Sequence, residues 1–486
     1  MLTVEEIKRF IEEDNASIKK RFARKGQEYY EGDHDIKKCR LFYYNADGKL
    51  VEDESRSNVK IPHPFFTELV DQATQYILSG NSFIKSDIPE LQTELDAYFN
   101  ENEDFTSELS EVITDCQTKG FAFMQSFKNK EDRTTFKCAD SLGVVEVEAR
   151  FASDKKDHII YHYIDRIDKD GKKVTRILDI DDENTCFYIQ NGEGKIEKDK
   201  KESINPMPHN LYKNKDTGEV FKKTSQVANL PFYRLDNNKK QFSSLKPIKE
   251  LIDDYDLMAS SLSNNLVDFD SPVHVIKGFQ GDNLDELQHN LKTKKIIGVD
   301  ENGGVEVHTV DVPYQAREAK LNLDEKNIYR FGMGLNTSGL KDTTATTNIA
   351  IKAMYSLLDL KCSKLEIRLK QFLRKLIKVV LQEINDANKT DYQMKDVYFS
   401  FDHEIMSNAH ENAQIELVEA QRMQTVVNVL LGLATYLDNE TIMQLVCEQL
   451  DLDWDDIKGK LPDPDEANNA VKDAQGVLDS VVVDGE

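Results

Sequence analysis

The chain has 486 residues, a length that predicts about three domains. Hydrophobic residues make up 39% and charged residues 31% of the sequence, which excludes a wholly disordered chain. The 63 basic and 88 acidic side chains give a net charge of −25, so the surface as a whole repels DNA and anionic membranes. No apolar run predicts a membrane helix or a signal peptide, and six scattered cysteines indicate free thiols in a reducing, intracellular compartment.

The first half of the chain divides into a helical and a β-rich section. Apolar residues at three- and four-residue spacing predict one helix over 2–30, with Gly32 as a left-handed cap. Further helices are predicted over 65–79, ending at Gly80, and within 88–118. From about 119 to 240, short alternating runs separated by Asp-Gly, Asn-Gly and Thr-Gly turns predict an antiparallel β-rich section.

Long helices dominate the second half. Ser243-Ser244 is predicted to cap a helix that carries Pro247 in its first turn and runs to about Phe269. A second is predicted from Pro313 to about Phe331. A third is predicted from 348 to about 386, with an interrupted seam of Ile349, Ala353, Leu357, Leu360, Lys364, Ile367 and Lys370. The chain is therefore predicted to be α+β and mainly helical.

Smaller segments separate and follow these helices. Between the first two lies an α/β module, 270–312, with a strand at Val273–Lys277, a helix around 283–292 and a hairpin turn at 301–304. A strand over 396–401 is followed by a helical block to about 460. Residues 448–486 carry twelve acids and three lysines, and their last part is predicted to be a mobile tail.

None of the familiar catalytic or metal-binding motifs is complete. The segment from Gly334 to Asp342 is close to a phosphate-binding loop, but Leu340 separates the second glycine from Lys341 and an acid replaces the hydroxyl. Asp456 and Pro462 stand where a calcium loop requires glycine and glutamate. Ser407 replaces the second histidine of a zinc-protease motif. We therefore expect no enzyme activity, no cofactor and no metal.

A polar loop joins the second and third long helices. It follows Gly332-Met333-Gly334, where glycines that allow positive φ predict a hinge. Its uncharged hydrogen-bonding residues are Asn336, Thr337, Ser338, Thr343, Thr344, Thr346 and Thr347, with a single base, Lys341. Such a loop is either an ordinary mobile surface loop or one that slides along a polyanion without gripping it. Lys320, Lys326 and Arg330 on the preceding helix either face that polyanion or pair with nearby acids.

The arrangement resembles the portal, or head-to-tail connector, proteins of tailed bacteriophages, in the branch common among phages of Gram-positive bacteria. The resemblance covers about residues 20–400 and is looser beyond them. It is carried by the order and spacing of three segments, Tyr29 to Ile36, Asn58 to Gly80, and Ser244 to Phe269 with its Leu245-Lys246-Pro247-Ile248 start.

The resemblance implies a ring, usually of twelve subunits in the virion, at one capsid vertex. It implies a wing from 1–242 and 347–402, stem helices 243–269 and 313–331, a clip 270–312, a channel loop 332–346, a crown 403–460 and an acidic tail 461–486. It further implies passage of double-stranded DNA, docking of terminase and of a tail adaptor, contacts with major capsid and scaffolding proteins, assembly in the host cytoplasm, and no membrane partner.

Two other functions stay open on the sequence. One is a helical or capsid-associated scaffold that binds proteins without enclosing DNA, and the other is a nucleotide-driven motor. End-on micrographs separate the scaffold from a ring. Stabilisation on heating with ATP and magnesium would indicate the motor, because a ligand that binds the folded state raises the unfolding midpoint.

Overall fold

The computed structural model describes residues 2–53, 56–80, 83–129, 133–148, 156–209, 211–213, 220–222, 230–269, 273–277, 304–308, 314–336, 348–401, 409–433, 436–450 and 454. The helix expected around 283–292, the hairpin turn before Gly304 and the acidic tail 461–486 lie outside these residues. Helices and strands are numbered in chain order.

The N-terminal helical region is two helices, α1 (Val4–Ala16) and α2 (Ile18–Tyr30), and the prediction of one helix over 2–30 is wrong. Ser17 separates them in an extended conformation and caps both. Its hydroxyl accepts from the Lys20 amide at 3.3 Å, a local bond that competes with continued helix. Gly32 has φ +78°, as its predicted role requires.

Three more helical segments complete the first helical section. They are α3 (Phe65–Ile77), α4 (Pro89–Leu95), which continues into a π-helical turn over Asp96–Asn100, and α5 (Glu103–Lys119). The Asn102 side chain caps α5 by accepting from the Phe105 amide at 3.1 Å, and Gly120 at φ +92° ends it.

The predicted antiparallel β-rich section is confirmed. One sheet has the order β14 (Phe232–Asp236), β4 (Phe121–Lys128), β5 (Thr134–Ala139). The larger sheet has the order β10-β9-β8-β7-β6, with β11 also pairing with β9. Its strands are β6 (Val144–Glu148), β7 (Lys156–Ile167), β8 (Lys173–Ile180), β9 (Asn184–Asn191), β10 (Ile196–Lys198) and β11 (Met207–Pro208).

Short antiparallel pairs stand apart from these sheets. They join β1 (Phe42–Tyr44) with β2 (Leu50–Glu52), β12 (Leu211–Lys213) with β13 (Val220–Lys222), β15 (Val273–Lys277) with β16 (Gly304–His308), and β17 (Tyr398–Phe399) with β3 (Ile84–Lys85). The strand expected at Val273–Lys277 is therefore present, and the strand expected over 396–401 is shorter than predicted.

The long helices are α6 (Lys249–Phe269), α7 (Tyr314–Gly332) and α8 (Asn348–Asn388). α6 begins six residues later than predicted, because residues 244–248 form a turn in which the Ser243 hydroxyl accepts from the Leu245 amide at 3.1 Å. The bounds of α7 and α8 lie close to those predicted.

The main hydrophobic core joins α3, α4, α5, β4, β5 and α8. α8 contributes a stripe that includes Leu358, Cys362, Leu365, Leu369, Phe372 and Leu376. The seam read from the sequence lies largely on another face of the helix, since Leu360 and Ile367 are 61% and 63% exposed. Smaller cores pack α2 and α3 against α6 and α7, and α1 and α2 against the sheets.

The chain divides into two compact units, residues 1–342 with 352–405, and residues 343–351 with 406–486. In the second unit α9 (Ala409–Gly432) packs against α10 (Asn439–Gln449), whose Ile442, Val446 and Cys447 are buried. All six cysteines are free. None of the described helices combines the length and apolar character that crossing a bilayer requires.

Candidate functional site

Helices α6 and α7 form an antiparallel pair. Ile252 shares a core with Ile328 and Tyr329, Asp254 pairs with Lys320, and Asn265 lies against Arg317. As the residue number rises along α6, the number of the contacting residue on α7 falls, which shows that the two helices are antiparallel. The antiparallel strand pair β15–β16 lies between these two helices in the sequence.

The three basic residues predicted on α7 have different surroundings. Lys320 is ion-paired with Asp254 and Asp324, donating to Asp324 Oδ1 at 2.6 Å. The hydrogen bonds to Asp254 and Asp324 raise the pKa of Lys320 above its ordinary value, so it stays charged. Lys326 and Arg330 are exposed and, among the described residues, make no ion pair. Lys320 thus ties the helix pair together, and the other two are one turn apart on an open face.

The two glycines at the end of α7 are sites of close packing. The residue with a left-handed backbone is Met333, φ +55°, and not either glycine. A Cβ at Gly332 would lie 2.6 Å from Leu69 Cδ1, and one at Gly334 would lie 2.1 Å from Leu69 Cδ2. Real Cβ atoms do not approach that closely, and Leu69 is itself buried in the core. The predicted hinge residues therefore hold the chain against α3.

The start of the polar loop is fixed to α3. The Gln72 side chain accepts from the Leu335 amide at 3.0 Å and donates to its carbonyl oxygen at 2.9 Å. The Asn336 side-chain amide nitrogen donates to Glu325 Oε1 at 3.2 Å. The other predicted loop residues, Thr337, Ser338, Lys341, Thr343, Thr344, Thr346 and Thr347, lie outside the described residues.

Comparison with known proteins identifies the family. The family described as "Phage portal protein, SPP1 Gp6-like" matches residues 8–448. This chain belongs to the phage portal protein family. The portal protein of Bacillus phage SPP1 is 26% identical over 431 residues, covering 85% of this chain and 82% of the relative. The portal protein of a Clostridium phage, phiCD119, is 25% identical over 411 residues, covering 80% and 83%.

Membership confirms the resemblance to portal proteins and gives the chain the structural role of a portal subunit. Among solved structures, a chain titled "Neck of empty GTA particle computed with C6 symmetry" aligns with a TM-score of 0.41 and 11% identity. The alignment covers 79% of this chain and 90% of that one.

The portal chain also contains a buried polar network at α6 that the sequence did not predict. His34 and Asp256 are completely buried, with His34 Nδ1 2.6 Å from Asp256 Oδ2. Asp256 Oδ1 accepts from the His63 amide and lies 2.9 Å from His63 Nδ1. Burial favours a higher pKa for Asp256, but the hydrogen bonds from His34 and His63 outweigh it, so the pKa lies below its ordinary value. The carboxylate joins two loops to α6.

An extended segment runs along α6 beyond this network. Backbone amides two residues apart donate to α6 side chains four residues apart, Ser57 to Asp268, Val59 to Asn264, Ile61 to Ser260 and His63 to Asp256, at 2.6–3.1 Å. Two extended residues span about 6.7 Å and four helical residues about 6 Å. The amide donors along the segment and the side-chain acceptors along α6 therefore recur at nearly the same spacing. The polar spacing 256, 260, 264, 268 was the available sequence signal.

Proposed function

We propose that the chain is the subunit of a portal ring at one capsid vertex of a phage virion, through which double-stranded DNA enters and leaves. The observation that carries this proposal is the family match across residues 8–448. The antiparallel pair α6–α7, tied by Lys320 and connected through β15–β16, supports it, because such a unit can serve as stem with a clip at its end.

In this proposal the chain is divided as the resemblance implies: wing 1–242 with 347–402, stem 243–269 and 313–331, clip 270–312, channel loop 332–346 and crown 403–460. Twelve copies form the ring in the virion. The clip docks the terminase and later the tail adaptor, while capsid and scaffolding proteins contact the outer surface. Assembly takes place in the host cytoplasm.

The channel loop touches DNA without holding it. Its start is anchored by Gln72, and its uncharged residues offer hydrogen bonds in place of strong phosphate pairs. Lys326 and Arg330 are the candidates that remain for the channel side of the stem, since Lys320 is engaged with α6. A chain of net charge −25 would repel the duplex from every side and centre it.

Electron microscopy of the purified protein tests the ring. We expect end-on views with rotational symmetry and a central hole. Solitary subunits or dimers at every concentration would favour the protein-binding scaffold instead.

A packaging assay tests the conduit. Replacing Thr343, Thr344 and Thr346 by lysine should slow DNA packaging, because added phosphate pairing holds the strand, whereas replacement by serine should leave it unchanged. Equal packaging by the lysine and serine variants would contradict the loop's role.

A further inference from the structure

The outer face of α8 is positively charged. Residues 361–378 hold seven basic side chains and one acid, in a chain whose net charge is −25. Exposed members that fall on one side of the helix are Lys364, Arg374, Lys375 and Lys378, here called the basic face. None of the four makes an ion pair within the described residues. Arg374 lies over the Phe399 ring at 6.0 Å.

The opposite charge is concentrated around α5. Residues 86–118 contain ten acidic side chains and no basic one. Exposed members at α5 are Glu101, Glu103, Asp104 and Glu111, here called the acidic face. In the part of the chain that the structure describes, these four also form no ion pair. The other side of α5 is buried through Phe105, Leu109, Val112 and Cys116.

The two faces do not neutralise each other within one copy. α5 and α8 bury their apolar stripes in the same core, so both charged faces point outward from it. Across the described residues, the ion pair that α8 makes is between Glu383 and Lys128 of β4. The four cations of the basic face, which lack an ion pair among the described residues, are therefore available to a partner of opposite charge.

We propose that the basic face of one copy docks on the acidic face of the next copy. This inference rests on the proposed ring and names the surfaces that close it. A contact between two different patches repeats head to tail and generates a closed ring when the rotation closes. Leu357, Leu360 and Ile367, exposed on the same outer side of α8, supply apolar area next to the charges, the usual composition of an interface with a polar rim.

Charge reversal on each face tests the pairing. The variant K364E/K375E/K378E changes the charge of the basic face from +4 to −2. The variant E101K/S107K/E111K changes the acidic face from −4 to +1, counting the charge added at Ser107, and leaves the first turn of α5 intact. Each alone places like charges in contact, which we expect to raise the subunit concentration for half-maximal ring assembly by about tenfold or more. The control K239E/K240E, which reverses two exposed lysines off both faces, should assemble like the native chain.

Mixing the two defective variants is the decisive measurement. In a ring that alternates the two variants, each contact joins either the two charge-reversed faces, negative on α8 and positive on α5, or the two native faces. An equimolar mixture should therefore form rings where neither variant does alone. Thermal unfolding midpoints of the separate variants show that they are folded. Assembly of the native chain should also weaken as NaCl rises from about 0.05 to 0.5 M, because the Debye length falls below 10 Å.

The outcomes separate this inference from the proposed function. Rings that form equally well in every variant, or a mixture that fails although both variants are folded, would overturn the face pairing and leave the portal role standing. If the basic-face variant assembles normally but loses affinity for a DNA duplex, the basic face belongs to nucleic acid and the inference is wrong. A native chain that forms no ring at any concentration would overturn the proposed function itself.

Discussion

At the scale of single residues, the Asp256 carboxylate connects three segments of the chain. Asp256 lies on α6. One of its carboxylate oxygens contacts His34 from one loop, and the other contacts His63 from a second loop. His34 also stacks on Tyr29 at 4.5 Å, and the Tyr29 hydroxyl bonds Asp253 one turn earlier on α6. Loss of one carboxylate oxygen therefore leaves a buried donor without its partner, which is costly.

The variant Asp256→Asn should lower the free energy of unfolding by about 2–4 kcal/mol, because its amide nitrogen replaces one acceptor with a donor. Chemical denaturation at pH 7 measures this. The control Asp47→Asn, at an exposed turn, should change stability by less than about 0.5 kcal/mol. A loss at position 256 as small as the control's would contradict the network's contribution.

The difference in stability between the native chain and the Asp256→Asn variant should be smaller at acidic pH. The folded-state pKa of Asp256 lies below its ordinary value of 3.8, so its stabilisation is fully present above pH 3.8 and disappears as the pH falls through the folded pKa. The difference in unfolding free energy between native chain and variant should therefore shrink below pH 3.8. A difference that stayed constant to pH 2 would show that ionisation of Asp256 is not its source.

At the scale of elements, the end of α7 packs closely against α3 because Gly332 and Gly334 have no side chains there. Gly334→Ala should destabilise the chain by about 1–3 kcal/mol, since its Cβ meets the buried Leu69. Adding Leu69→Ala should cancel part of that cost in a double-mutant cycle of unfolding free energies. Strictly additive losses would instead favour the hinge that the sequence predicted, because relief at Leu69 does not restore backbone freedom.

The extended segment 57–63 depends on α6 for its hydrogen bonds. Ser260→Ala removes the acceptor of the Ile61 amide, so hydrogen exchange of that amide should become about fivefold faster, equivalent to about 1 kcal/mol. Ser263→Ala, on the same helix but outside the repeat, is the matched control. Equal exchange at Ile61 in both variants would show that the segment is held by other contacts.

At the scale of the whole molecule, the main core and the three smaller cores found among the described residues lie within residues 1–405. The first compact unit is therefore expected to fold without the second. A chain ending at residue 405 should unfold cooperatively within about 4 °C of the corresponding transition of the full chain, a shift that corresponds to about 3 kcal/mol for a chain of this size. A transition lowered by more than about 10 °C would show that residues 406–486 stabilise the first unit.

Local pattern was sufficient for much of the fold. Alternating runs and turn dipeptides predicted the β-rich section, and spacing of three and four predicted the long helices, because these periodicities follow from backbone geometry alone. The ordered segments at Tyr29, Asn58 and Ser244 carried the portal resemblance. The Ser17 break between α1 and α2 was missed because a single hydroxyl bond decides it.

The sequence did not show which face of each helix is buried or which residues the polar side chains contact. Both became clear only from the packing of the tertiary structure. α8 has two stripes at helical spacing, one through Leu360 and Ile367 and one through Leu365 and Leu369, and only the second meets the core. Lys320 reaches Asp254 across 66 residues, and Leu69 reaches Gly334 across a longer interval. Periodicity records local geometry, whereas such long-range contacts depend on how the helices are packed together.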